Sequence, residues 1–203
     1  MEYQFEISRG PVDVRKRKLI LNSDYIEFES RHIQNHIPKR IYKREIKDVR
    51  IGMRILRGIE FPVGREFFFE FKTSPLKTFK IKFSSSLRNR KNNSLKLFNE
   101  INQAMWKLYL NDLLNDYESQ FNEGKSIHLA KVELNKNGLT FKKKTSINRK
   151  KHFVTWDDLI VTDFHENFYI GSRSDKKVKR LMNVCDDWNA VMLYAFLNAR
   201  LKK

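Results

Sequence analysis

Few side chains in this chain stand at spacings that chemistry requires. His32 and His36 lie four apart, which on a helix would put two imidazoles on one face within reach of a zinc ion. Their segment ends at Ile37–Pro38, and proline disfavours the helical region for the residue before it, so a loop is expected there and a metal site is not. Cys185 is the single cysteine, and the acidic Asp186 beside it disfavours a thiolate; a small buried apolar role is expected of it. Asp157–Asp158 has the composition of a carboxylate pair, but it follows Trp156 at a turn, where solvated acids are expected. Neither glycine-rich phosphate pattern occurs, and no nucleophile has a recognisable local context. No catalytic residue, metal or cofactor is expected, and the chain reads as a non-enzyme.

Positive charge is plentiful. Forty-one Lys and Arg face 24 Asp and Glu, a net +17. Residues 1–110 hold 24 basic against 12 acidic side chains, +12, and residues 111–203 hold 17 against 12, +5. An excess of this size favours polyanionic partners. Two sets of runs are the candidates: Arg15, Lys16, Arg17 and Lys18, then Lys142, Lys143 and Lys144 with Arg149, Lys150 and Lys151. Anion binding is expected mainly in the first half. The expected partners are an acidic protein and, peripherally, an anionic lipid surface. The alternatives are an enzyme without recognisable motifs and a nucleic-acid-binding protein using basic loops, with Phe141 and Phe153 at the edges of the second set, though no helix–turn–helix, zinc-finger or RNA-binding sheet signature accompanies them.

The chain must hold these runs on a folded body. Its 203 residues are 40% hydrophobic with 16 Phe, enough for two cores of about 100 residues each. Seven Gly and four Pro argue against low complexity. No apolar run approaches the roughly 18 residues of a membrane span, and the start, Met1 to Glu6, has no apolar signal region. With one cysteine, a reducing, cytoplasmic location is expected.

The organising stretch is residues 94–122, which has no Gly or Pro. Phe98, Ile101, Met105 and Leu108 recur at helical spacing, and Leu110, Leu114, Tyr117 and Phe121 form a second stripe turned away from the first. Either one long helix serves two partners in turn, or it breaks near Asn111–Asp112. Strand patterns precede it: residues 3–7, 19–21, 25–29, one bending strand over 41–51, then 67–71 and 78–83, with a longer connection over 52–64. The second half repeats the first. A shift of 113 lays Leu21 on Leu134, Ile26 on Leu139, Phe28 on Phe141, Ile41 on Val154 and Ile46 on Leu159. A shift of 100 lays Phe68–Phe69 on Phe168–Tyr169 and Ile81 on Leu181. A last helix is expected from about 186, capped by Asp186–Asp187, with Trp188 as its core aromatic.

Strands first, antiparallel, then one amphipathic helix is the element order of a pleckstrin-homology-like (PH-like) domain. Asp187-Trp188-Asn189-Ala190-Val191 resembles the closing helix of that fold, and residues 43–49 and 156–159 resemble the fourth-strand region of its bacterial members. The chain thus resembles a tandem of such domains. The resemblance implies an α+β fold of two modules, each a bent antiparallel sheet or partial barrel closed by a C-terminal helix. They span 1–110, with a closing helix from about 94, and 125–203, with a helical linker over 111–124. It implies binding rather than catalysis, hence an adaptor. The last helix carries a second apolar stripe, Leu193, Leu197 and Leu201, with Tyr194 beside it. This stripe and the linker's Leu110, Leu114, Tyr117 and Phe121 are expected to cover each other or to meet their equals in a homodimer.

Overall fold

The computed structural model describes residues 1–8, 15–29, 38–57, 61–86, 93–144, 149–164 and 167–201. The chain divides into two compact units, Met1–Asn111 and Asp112–Lys203. Both are built mainly from antiparallel sheets followed by a helix.

In the first unit, β1 (Glu2–Ser8), β2 (Lys16–Asn22), β3 (Tyr25–Glu29) and β4 (Pro38–Tyr42) form a sheet in that order. Alternation puts Leu19, Leu21, Ile26, Phe28 and Ile41 on the buried face. A 3-10 turn at Lys43–Glu45 follows, with the Tyr42 amide donating to Glu45 Oε2 at 2.7 Å. This turn corrects the single bending strand expected over 41–51: the chain there leaves one sheet and enters another. The second sheet is β5 (Asp48–Arg57), β6 (Pro62–Ser74) and β7 (Lys77–Ser86). Most of the expected connection over 52–64 is strand as well, because Gly52 to Leu56 pair with Phe68 to Gly64. Phe67, Phe69 and Phe71 stand opposite Phe83, Ile81 and Phe79 and line the core. Phe98 tilts over Phe67 and Phe69 with ring centroids 5.3 and 5.1 Å apart.

The helical stretch does not break. α1 (Asn93–Met105) runs through a π-helical turn at Trp106–Leu110 into α2 (Asn111–Asn122). A π turn holds one extra residue, so everything after it lags by about 100°. The second stripe is divided between the units, with Leu110 buried in the first and Phe121 buried in the second. The turn also places Tyr109. Its hydroxyl proton is shared between the carbonyls of Asn22 at 2.5 Å and Tyr25 at 2.8 Å, tying the helix to the β2–β3 turn. Burial pushes the phenol well above its ordinary pKa of 10, against the lowering effect of the Asn22 bond. The stability held by the neutral phenol is complete below that ordinary value and declines at higher pH. Tyr109→Phe should cost about 1–2 kcal/mol in urea unfolding, since two carbonyls lose their donor.

In the second unit, β8 (Ile127–Leu129), β9 (Val132–Asn135), β10 (Gly138–Lys144) and β11 (Arg149–Thr155) form a sheet in chain order. β12 (Leu159–Phe164), β13 (Asn167–Ser172) and β14 (Lys179–Asn183) form another. The pairs Leu21↔Ile26 and Ile26↔Ile41 of the first unit become Leu134↔Leu139 and Leu139↔Val154 when 113 is added to each number. Leu19↔Phe28 likewise becomes Val132↔Phe141.

The last helix, α3, is Ala190–Leu201, starting later than the expected 186. Side-chain bonds to the backbone hold residues 183–187 in a turn instead. Asn183 Oδ1 accepts from the amides of Cys185 and Asp186, at 2.9 and 3.1 Å, and Asp187 Oδ2 accepts from the Asn183 amide at 3.1 Å. Trp188 therefore sits half-buried in the turn, outside the helix, and Cys185 is buried. Among the described residues no helix is long and apolar enough to cross a membrane.

Candidate anion-binding site

The first basic run does not present one surface. β2 alternation sends Arg17 inward, where it is 4% exposed, so it cannot meet a large ligand. Lys16 Nζ pairs with Glu6 Oε2 at 2.7 Å, and Lys18 stands opposite the same Glu6 across the β1–β2 ladder. Arg15 precedes the strand and is exposed. On the same sheet Arg40 pairs with Glu27 at 2.6 Å and lies 4.0 Å from the Tyr25 ring. The outer face of the β5–β7 sheet is partly neutralised, around the buried Glu70. Arg50 donates to it from Nε at 2.9 Å and from its terminal nitrogen, with Lys82 Nζ at 3.4 Å and Lys80 Nζ at 3.9 Å. Lys82 also reaches Glu66 at 3.3 Å, and Arg54 lies 4.6 Å from the Phe68 ring. Sequence inspection missed this network. Its signal was a carboxylate inside Phe67-Phe-Phe-Glu-Phe71, facing Arg50 and Lys80 by strand alternation.

The second set is different. In the β10–β11 hairpin, Lys142 stands opposite Lys151, Lys143 opposite Lys150 and Lys144 opposite Arg149. Three consecutive rungs thus pair like charges, an arrangement that works against the hairpin. β9 pairs with β10 only over Gly138–Phe141, so these rungs run on as a two-stranded ribbon. Residues 134–156 contain seven Lys and Arg and no Asp or Glu. Lys142, Lys150 and Lys151 are exposed and make no ion pair among the described residues. Phe153, at the base of the ribbon, is 51% exposed. Its neighbour His152 stacks on the buried Phe141 at 6.1 Å, anchoring that strand to the core.

The apolar stripes divide between the units. Leu110 is buried in the first. In the second, Phe121 packs edge-on against Trp156 and Phe196, with ring centroids at 5.8 and 5.4 Å. Arg200 lies over both the Phe121 and Trp156 rings, at 4.6 and 4.5 Å, and the Trp156 indole donates to the Asn135 carbonyl at 3.0 Å. Leu193 and Leu197 are buried, Leu114 and Tyr117 half-buried, and Leu201 exposed. A cavity of about 40 Å³ between α2 and α3 is lined by Glu118, Phe121, Asn122, Phe196, Ala199 and Arg200. It has room for water rather than for a cofactor.

Asp158 is a turn staple. Its carboxylate accepts from Ser172 Oγ at 2.5 Å and from the Ser174 amide at 2.8 Å, and these two bonds hold its pKa below the ordinary value. Asp157 is exposed beside it. His32 and His36 lie outside the described residues. Among those described, no group of three or more His, Cys, Asp or Glu is placed to hold a metal ion. Comparison with protein-family models, curated proteins and solved structures gave no match.

Proposed function

We propose that the chain is a non-enzymatic, cytoplasmic adaptor of two duplicated PH-like modules that engages an anionic partner through the β10–β11 hairpin of the second. The modular reading is supported by the common plan of the units, four antiparallel strands, then three, then a helix. It is supported further by the strand register that repeats at an interval of 113 residues. The binding reading is carried by one observation: three successive rungs of the backbone ladder pair Lys or Arg with Lys or Arg, with no acid in residues 134–156. Like charges held this close repel, and an anion placed against them removes the repulsion. The first half has the larger net charge, yet Lys16, Arg40 and Arg50 pair with carboxylates and Arg17 is buried, so its basic run offers no acid-free cluster like that of the second unit.

Retention on a heparin column, a generic sulfated polyanion, tests this. The Lys142→Gln/Lys150→Gln/Lys151→Gln variant should elute at clearly lower salt than the parent. Arg15→Gln/Lys16→Gln/Lys18→Gln should elute close to it. At roughly 1 kcal/mol per basic residue near an anionic surface, the hairpin variant should lose about 3 kcal/mol. The reverse order of elution would place the site in the first unit, and no retention of the parent even at low salt would end the anion-binding reading.

A further inference from the structure

Which polyanion the ribbon fits depends on its shape. Successive strand residues belong to opposite faces, so Lys142 and Lys151 share one face of the ribbon and Lys150 belongs to the other. All three are exposed. A flat bilayer can meet one such face at a time. A hairpin that docks on a bilayer by its tip also needs apolar side chains to insert, and between Lys142 and Lys151 Ile147 is the only one. A nucleic-acid groove is a better match, because it is walled by phosphates on both sides. The major groove of a duplex, about 12 Å wide, admits a two-stranded β-ribbon.

We infer that the β10–β11 ribbon docks into the groove of a nucleic-acid duplex, holding phosphates on both sides without reading sequence. This rests on the hairpin being the anion site, and it names that site's partner. Six cations on three rungs set the scale of the interaction. The described lysines are exposed and stand in like-charge pairs, so replacing them leaves the fold intact and the test interpretable.

The test uses the full chain, a labelled DNA duplex of about 20 base pairs read by fluorescence anisotropy, and flotation with phosphatidylglycerol vesicles. Six phosphate contacts predict a log–log salt slope of about −5, or roughly a thousandfold loss of affinity between about 50 and 200 mM salt. The Lys142→Gln/Lys150→Gln/Lys151→Gln variant should bring the slope to about −3 at an unchanged melting temperature, and scrambling the duplex sequence should leave affinity unchanged. Vesicle binding that the same variant abolishes, without duplex binding, would overturn this inference and leave the hairpin as the anion site. Duplex binding with the parent's slope retained in the variant would place the contacts elsewhere and overturn it too. Failure of both duplex and vesicles, with heparin retention still lost in the variant, would sink the duplex and point to an acidic protein. Failure of all three probes would end both readings.

Discussion

Glu70→Ala should destabilise the protein by about 3–5 kcal/mol in urea unfolding, one of the largest effects available outside the aromatic core. Glu70 is 1% exposed and lies among Arg50, Lys80 and Lys82. Removing the carboxylate takes away the acceptor of two Arg50 hydrogen bonds and the acid that Lys80 and Lys82 approach, at a mostly covered position. The pH dependence has a definite sign. Burial works to raise the Glu70 pKa, but the hydrogen bond and charge of Arg50, then the charges of Lys82 and Lys80, outweigh it, and the net shift is downward. A carboxyl with a depressed folded value contributes its stability above its ordinary pKa of 4.5 and loses it as pH falls through the folded value. The parent should therefore lose stability as pH falls below about 4.5, and Glu70→Gln should lose distinctly less over that window. The Glu70→Leu/Arg50→Met double variant should recover much of the single-variant loss, because it removes both charges together. An Ala variant as stable as the parent would mean that water, not the protein, solvates this group.

The same network shows why net charge misled about location. Counting residues finds +12 in the first half. It cannot see that Lys16 is spent on Glu6, Arg40 on Glu27 and Arg50 on Glu70. Those pairings follow from strand register, which one chain's charge pattern does not supply. The second set was legible because, with no acid in residues 134–156, no register within it can give a lysine an acidic partner. The strands of the first hairpins were legible for a related reason, since alternation and the Asn22-Ser-Asp24 turn fix both the face and the pairing. The helical stretch was legible as helix, but its continuity was not. A π turn carries α1 into α2, and no residue type announces one. The late start of α3 was hidden because Asp186 and Asp187 look like caps until Asn183 is seen to organise the turn.

Met182→Ala should cost about 2–5 kcal/mol, and Leu181→Ala no more than about 0.5, although leucine is the more hydrophobic-looking choice. A shift of 100 lays Ile81 on Leu181 and Phe69 on Tyr169, and so expects both in the second core. In the structure Leu181 is 44% exposed and Met182 fully buried, with Phe168 and Ile170 buried on β13 in place of Tyr169. Phe168 stands opposite Met182, and Tyr169 opposite Leu181. The offset keeps the strand pairing but is one residue out of phase with the buried face, and in a strand that transfers every side chain to the other face. The turn between the strands is not the cause, because Phe69↔Ile81 and Tyr169↔Leu181 are both opposite pairs. The inversion is already present on β13, where Phe168 and Ile170 are buried, so it arises before that strand, where a constant offset of 100 is one residue out of phase. Leu181, with Ile160 and Phe164, then lies on the outer side of the β12–β14 sheet, where truncation opens no cavity. Parallel urea titrations of the two alanine variants decide the matter. Equal losses, or a larger loss at Leu181, would mean that the face carrying Tyr169 and Leu181 is the buried one.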